Sequence, residues 1–287
     1  IGVTGSDGKT TTTTLIAEML KAAGKTVYLG GNIGAPLLPQ TDQMKPEDYA
    51  VVELSSFQLM TMKKSASTAV VTNVAPNHLD IHRDMEEYVN AKRNVFAYQT
   101  SADRVVLNLD NDITRHFGRE AEGHVFYFSK QPFTGDGVYL ADGAIWASAG
   151  GKREKVLETS EIFLPGLHNV ENYMAAIAAV WGRVPIDTIR RTAREFHGVE
   201  HRIEFVRELN VRYYNDSIAT SPTRAIAGLR SFLGRVIMIA GGYDKHLSFA
   251  PLAPEILAHV KTLVLCGATA GMIRAAVVSE DGFSPDS

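Results

Sequence analysis

Gly5, Ser6, Asp7, Gly8, Lys9 and Thr10 follow one another near the start of the sequence, and four more threonines come directly after. Glycines at this spacing let a backbone take φ > 0 and come close to a bulky anion. Lys9 adds a mobile positive charge, and the next hydroxyl can ligate Mg²⁺. The run lies between a short apolar stretch, IGVT, and a segment that places Leu15, Ile16, Met19, Leu20 and Ala23 at helical spacing. A helix starting here presents unpaired N–H groups and roughly half a positive charge. The chemistry expected is therefore phosphate binding, with Gly5, Asp7, Gly8, Lys9, Thr10 and Thr11 around a nucleotide's phosphates. The strict phosphate-loop pattern places glycine where Val3 stands, so the match is partial. A Gly-rich turn that only caps a helix is the plainer alternative. Threonine is a weak helix former, so Thr12, Thr13 and Thr14 are expected to pack and back-bond within the helix.

Three later stretches carry side chains suited to the same chemistry. GGNIG (30–34) follows an apolar run, VVELSSFQL (51–59) puts Glu53 where a strand would end, and VTNVAPNHLDIH (71–82) does the same for Asn77, His78 and Asp80. Ligands of open parallel sheets gather at those strand ends. Thr10, Glu53 and His78 are thus expected to face one Mg²⁺–nucleotide site, a set fitted to metal-assisted phosphoryl transfer. Taken alone, such a glutamate reads equally as an ion-pair partner or a helix cap, and a lone histidine as structural.

The elements that must position these residues alternate. TVYLG (26–30), YAVVEL (49–54), STAVVTNV (67–74) and DRVVLNLD (103–110) read as buried parallel strands. Helical spacing covers 10–23 and 84–98, the latter through Met85, Tyr88, Val89, Lys92, Val95 and Phe96. This is the grammar of an α/β protein: a mostly parallel central sheet carrying the phosphate loop, with helices on both faces. HVFYFS, GVYLADGAIWA and SEIFLPG, within 123–165, predict an antiparallel patch, and helices follow at 169–182 and 185–196, the second opened by Pro185. A boundary is expected at GVEHR, giving domains 1–200 and 201–287. The second, smaller and incomplete Rossmann-like α/β domain would hold a hairpin around Asn210, a helix over 222–233, strands RVIMIA (235–240) and KTLVLCG (261–267), and a helix over 269–278.

With 287 residues, 45% of them hydrophobic and 21% charged, the chain can build cores of ordinary size. A net charge of −3 without a long basic run argues against nucleic-acid binding. No stretch of about 18 apolar residues exists to insert in a membrane. The one cysteine, Cys266, stands in TLVLC and is expected to be a buried thiol; a reducing, cytoplasmic setting fits. The sequence opens on what reads as a strand end, without an initiator methionine, which suggests a chain cut from something longer.

Taken together, GVTGSDGKTT, GGNIG, ELSSFQL, NHLDIH with YVNAKRNVF, LPGLHNVEN, EHRIEF, NDSIATSP and GGYDK resemble the Mur ligase family. ELSSFQL with GGNIG points to its D-glutamate-adding branch over the other Mur ligases and the folylpolyglutamate synthetases. The resemblance implies an amide-forming, ADP-forming ligase of peptidoglycan precursor synthesis. ATP phosphorylates a carboxylate, here that of UDP-N-acetylmuramoyl-L-alanine, and the D-glutamate amine displaces phosphate. It implies two Mg²⁺ ions, small-molecule partners only, and a monomer. It places Lys9 and Thr10 on the phosphates and metal, and makes Glu53 and His78 metal-site residues. It makes Lys92 a carbamylated lysine that also ligates metal; by itself Lys92 reads as a solvated helix lysine. It puts Asn32, Ser55 and Gln58 near the muramoyl substrate, and Asn169 and Asn172 on the adenine side. Arg202 and Asp216 go to the nucleotide and Lys245 towards glutamate, although alone Arg202 reads as a surface arginine and Asp216 as a turn residue.

Two departures stand out. Ile218 occupies a position where many relatives place lysine. The family's N-terminal uridine-diphosphate domain and the last segment of its C-terminal domain have no counterpart, so the expectation is nucleotide binding with turnover lost or very slow. A nucleotide-binding module without ligase chemistry is the rival from another class, separated by glutamate-dependent phosphate release.

Overall fold

The structure is a computed structural model describing residues 1–34, 36–75, 82–245 and 247–284. It divides into two compact units: residues 1–163 with 168–196, and residues 164–167 with 197 onward.

The first unit is built on nine strands. Its elements are β1 (Gly2–Thr4), α1 (Lys9–Ala22), β2 (Val27–Gly31), β3 (Tyr49–Glu53), α2 (Ser56–Met60), β4 (Thr68–Val71), α3 (Met85–Arg93), β5 (Arg104–Asn108), α4 (Asp112–Phe117), β6 (His124–Ser129), β7 (Gly137–Ala141), β8 (Ala144–Ala149), β9 (Lys152–Glu158), α5 (Leu167–Val180) and α6 (Ile186–Glu195). The strand order is β2-β3-β1-β4-β5-β6-β7-β8-β9. Pairing is parallel from β2 through β7 and antiparallel across β7-β8-β9. The mostly parallel α/β sheet read from the sequence is present.

The order of strands decides where a site can form. The chain leaves β1 towards β2 on one side and, after β3, crosses to β4 on the other. The carboxyl ends of β3, β1 and β4 therefore lie side by side at a switch in winding direction, where open α/β sheets bind ligands. The strands there are apolar along their centres: Val3, Val51, Ala69, Val70, Val71, Val105, Val106 and Leu107 are fully buried. So are Leu15, Ile16, Met19 and Leu20 on α1, and Tyr173 to Val180 on α5.

The patch beyond β5 differs from expectation. HVFYFS (β6) pairs parallel with β5, so the parallel region runs further than predicted. SEIFLPG is not a strand: residues Thr159–Glu161 form a 3₁₀ turn. The outer strand is instead KREKVLE, whose charged first half lies exposed on the sheet edge and only Val156 and Leu157 turn inward. Charge on an edge strand discourages further pairing, which also masked its strand character in the sequence.

The second unit carries a hairpin, β10 (Glu204–Glu208) and β11 (Arg212–Asn215), then α7 (Pro222–Leu229), β12 (Val236–Gly242), α8 (Ala253–His259), β13 (Val260–Gly267) and α9 (Ala270–Val278). β12 and β13 pair in parallel. Leu229, Leu252, Ile256, Ile273 and Val277 form its core against the inward-facing Met238, Leu263 and Leu265. Cys266 corrects the sequence reading: it is exposed. It alternates with Leu265 and shares the outward face with Ile239 and Val264, which are also exposed.

Both tryptophans, Trp146 and Trp181, lie in the first unit, so their fluorescence reports its unfolding. Replacing the fully buried Leu107 by alanine is expected to cost about 2–5 kcal/mol in urea denaturation followed by that signal. A change below about 1 kcal/mol would contradict a close-packed sheet at β5.

Candidate active site

The phosphate loop spans β1 and α1, and its backbone is held from behind. Asn73, just past β4, accepts from the Ser6 N–H through its carbonyl at 2.9 Å and its side-chain oxygen at 3.1 Å, and from the Asp7 N–H at 2.9 Å. The Thr72 hydroxyl donates to the Asp7 carbonyl at 2.6 Å. Ser6 Oγ donates to the Ala75 carbonyl and accepts from the Ala75 N–H, both at 2.9 Å. Its single proton is thereby used, so the 2.9 Å contact with Tyr88 has the phenol as donor. Burial raises the Tyr88 phenol above its usual range, which keeps that proton in place. The sequence reading missed Asn73, Thr72 and Tyr88; the polar pair Thr72-Asn73 ending an apolar strand was the available signal.

Glycine is required at two loop positions. Gly5 has φ 152° and Gly8 φ 76°. A Cβ on Gly5 would lie 1.9 Å from Thr72 Oγ1, and one on Gly8 would lie 2.3 Å from Asn172 Oδ1. Gly8 is also the N-cap of α1, and no side chain caps that helix. A helix start without a side-chain cap is the setting in which first-turn N–H groups bind anions. Further along, Thr13 and Thr14 back-bond to the carbonyls of Lys9 and Thr10 at 2.7 and 2.9 Å, as the threonine run was read to do. Thr12 instead donates to Asn172 Oδ1 at 3.3 Å, and Asn172 donates to Asn169 at 3.3 Å. Both asparagines are buried. Asn172 stands directly behind Gly8, at the phosphate end of the loop.

Two ammonium groups converge on one carbonyl. Lys9 Nζ donates to the carbonyls of Gly5 and Ser6, each at 3.0 Å, and Lys92 Nζ donates to Gly5 at 2.7 Å. Lys92 is not the solvated helix lysine its own sequence context suggests: only 1% of it is exposed, and its ammonium lies 4.5 Å from the Tyr88 ring centroid. Burial foremost, then the charge of Lys9, lowers its pKa from 10.5 to about 7, against the opposing pull of Asp7 and Glu53.

Glu53 ends β3 and is 1% exposed. Its Oε1 accepts from Asn32 Nδ2 at 2.9 Å, while the Asn32 N–H donates to the Glu53 carbonyl at 2.9 Å. Gly31, at φ 103°, makes this clamp possible, because a Cβ there would lie 2.2 Å from the Glu53 carbonyl oxygen. Glu53 Oε2 is buried without a hydrogen-bond partner among the described residues. An anionic oxygen left so is costly unless a cation meets it. Carboxylate and hydroxyl oxygens are the donors Mg²⁺ prefers, with phosphate and water completing the shell. Among the described residues no group of three or more His, Cys, Asp or Glu forms a metal cluster. Lys92 fits such a site only once its positive charge is gone.

The remaining expected residues fall elsewhere. Ser55 and Gln58 form a capping box on α2, with Gln58 Oε1 accepting from both the Ser55 N–H and hydroxyl at 2.9 Å. His78, with Asn77 and Asp80, lies outside the described residues. Arg202, Asp216 and Lys245 belong to the second unit. There Asp216 Oδ1 accepts from the Ile203 N–H at 3.1 Å, and burial raises its carboxyl pKa against that bond and the charges of Arg202 and Arg224. Lys245 is exposed.

A strand–loop–helix turn shaped like a phosphate cradle, with a buried carboxylate oxygen unpartnered among the described residues at the neighbouring strand end, is the arrangement of phosphate-binding α/β proteins. The chain belongs to the Mur ligase family: residues 3–180 match the Mur ligase middle domain. It is 57% identical over 273 residues to the UDP-N-acetylmuramoylalanine–D-glutamate ligase of Acetivibrio thermocellus, covering 95% of this chain and 59% of that protein. It is 51% identical over 274 residues to the protein of that name from Clostridium botulinum, with the same coverages. The chain thus spans a little under three-fifths of these relatives. Among solved structures, MurF from Acinetobacter baumannii superposes with a TM-score of 0.74 at 18% identity, over 96% of this chain and 65% of that one, a likeness of fold. None of the described helices is long and apolar enough to cross a membrane.

Lys92 generates a pH prediction. Its folded pKa of about 7 lies below the 10.5 of an ordinary lysine, so between these values the unfolded chain binds the extra proton and stability rises with pH. The burial penalty is complete below about pH 7 and gone above about pH 10.5. In CO₂-free buffer, Lys92→Met should stabilise the chain near pH 6.5 by on the order of a few kcal/mol, and the gain should fade towards pH 10. Equal effects at both ends, measured by urea unfolding, would contradict the assignment.

Proposed function

We propose that this chain supplies the ATP- and metal-binding machinery of a ligase that adds D-glutamate to UDP-N-acetylmuramoyl-L-alanine in peptidoglycan precursor synthesis. The observation that carries the reading is the orphaned Glu53 Oε2 at the strand end beside the phosphate loop. The names of the curated relatives, at 57% and 51% identity, supply the substrate.

A carboxylate is a poor electrophile, and phosphorylation gives it a leaving group. The substrate carboxylate oxygen attacks the γ-phosphorus of ATP and ADP departs. The D-glutamate amine then adds to the acyl-phosphate carbon, loses a proton, and phosphate leaves as the amide forms. The difficulty is bringing anions together. Lys9 leaves the Gly5 and Ser6 carbonyls to reach the β/γ-phosphates, and the N–H groups of the N-cap Gly8 and of Thr10 and Thr11 in α1 donate to phosphate oxygens. Asp7 lies on the rim of that loop, and Asn73 keeps it in shape. Glu53, Thr10 and Lys92, with His78, would hold Mg²⁺, two ions in this reading; when bound, the ions neutralise charge gathering between the phosphates and the carboxylate.

Lys92 takes part as its carbamate. Its lowered pKa leaves much of the amine neutral near pH 7. The neutral nitrogen adds to CO₂, a proton leaves, and a buried cation becomes an anionic oxygen donor. The other roles follow the family pattern. Asn32, which orients Glu53, works with Ser55 and Gln58 on the muramoyl side, and Asn169 and Asn172 on the nucleotide. Residues 201–287 form the C-terminal domain, where Arg202 and Asp216 serve ATP and Lys245 the glutamate. We place the enzyme in the cytoplasm, as a monomer.

The route has an isotopic signature. The assay supplies ATP, Mg²⁺, D-glutamate and an acceptor labelled with ¹⁸O in its carboxylate. The phosphate that forms should carry one labelled oxygen by mass spectrometry. Unlabelled phosphate, released whether or not D-glutamate is present, would overturn the ligase reading in favour of simple hydrolysis.

A further inference from the structure

One buried side chain between the two metal-site elements is left without a task by the mechanism. His82 precedes α3 and is 3% exposed. Its Nε2 lies 2.8 Å from the Oγ of Ser56, the first residue of α2 and three positions beyond Glu53. Its ring stacks on Phe57, with centroids 5.0 Å apart and planes 7° from parallel, and meets Tyr88 edge-on at 5.2 Å. Nδ1 has no hydrogen-bond partner among the described residues and lies 3.5 Å from Glu87 Oε2. That carboxylate in turn accepts from the Arg83 N–H at 2.8 Å, while Asp84 caps α3 through the Glu87 N–H, also at 2.8 Å.

These contacts form a strut. One end grips α2, which begins three positions after Glu53. The other grips the start of α3, whose Tyr88 donates to Ser6 and whose Lys92 donates to Gly5. Glu53 and Lys92 lie 39 positions apart and come from different elements, so something must fix α2 against α3 if both are to meet one ion. A histidine stacked on Phe57, met edge-on by Tyr88 and tied to a buried hydroxyl can do this with little freedom to lose.

We propose that His82, through its bond to Ser56, is a positioning residue that sets Glu53 and Lys92 at the spacing their shared metal–nucleotide site requires. The proposal rests on the ligase reading above and adds a residue to it. His82 touches neither the nucleotide nor the substrate in this account.

The test is calorimetric titration of ATP into the 287-residue chain, with Mg²⁺ and with EDTA, for wild type, His82→Phe, His82→Gln, Ser56→Ala and the double variant His82→Phe/Ser56→Ala. The wild type should bind more tightly with Mg²⁺. His82→Phe keeps the stacking but loses the hydrogen bond, and should lose about tenfold in Mg²⁺-dependent affinity while Mg²⁺-free binding changes less than about twofold. Ser56→Ala should match it, and the double variant should be no worse than either, since all three break one bond. His82→Gln, which can still reach Ser56, should recover most of the loss. A purely structural histidine would lower the melting temperature and leave the ratio of the two affinities unchanged; that result overturns the proposal, as do additive losses in the double variant. If His82→Phe does not fold, Ser56→Ala with an unchanged ratio is sufficient to overturn it. A wild type that binds ATP without help from Mg²⁺ would overturn the metal-site reading and this proposal together.

Discussion

A carboxylate oxygen buried without a donor stands at the centre of this structure. Desolvating an anion costs several kcal/mol unless something positive or protic meets it. Glu53 has one oxygen satisfied by Asn32 and one by nothing described. Nearby, Lys9 and Lys92 both turn their ammonium groups to the Gly5 carbonyl. Two cations sharing one acceptor, close to an unmet anion, is a charge arrangement that makes sense when a metal ion and phosphates join it. Lys9 then has phosphate to bind, Glu53 a cation, and Lys92 a reason to carry negative charge.

The fold supplies this arrangement through backbone more than through side chains. Gly5, Gly8 and Gly31 each sit where a Cβ would collide with a loop or clamp atom. Removing that atom lets the phosphate loop lie on Thr72 and Asn172, and lets Asn32 close on Glu53. The strand order then brings the ends of β3, β1 and β4 together, so that residues from positions 5, 32, 53 and 73 share one rim of the sheet. Asn73 holds the loop by its N–H groups, and Tyr88 holds it from α3.

Much of this was legible from local pattern. Gly5 to Thr10 carry their chemistry within one short stretch, and a strand before and a helix after completed the signal. Glu53 was readable because the end of an apolar run marks the end of a strand. Lys92 was not readable from its own neighbourhood, because its burial depends on how α3 packs against a loop almost ninety positions earlier; only the family resemblance singled it out. His82 was hidden the same way, its partner Ser56 lying 26 positions upstream. Cys266 shows a different limit. TLVLC says that a strand is apolar, but not which of its faces a helix covers, and the thiol fell on the uncovered one. The charged half of β9 failed for the opposite reason, since an edge strand has little apolar pattern to show.

The central claim is that Glu53 Oε2 is half of a metal–nucleotide site. It is tested most directly by comparing Mg²⁺·ATP binding to the wild-type chain and to Glu53→Gln, which keeps the size and the Asn32 contact but removes the charge. The account predicts that wild type binds Mg²⁺·ATP at least about tenfold more tightly than the variant, while the two bind Mg²⁺-free ATP alike or the variant slightly better. Equal Mg²⁺·ATP affinities in two folded chains would contradict it, and would leave the buried carboxylate as a structural charge with no metal to meet.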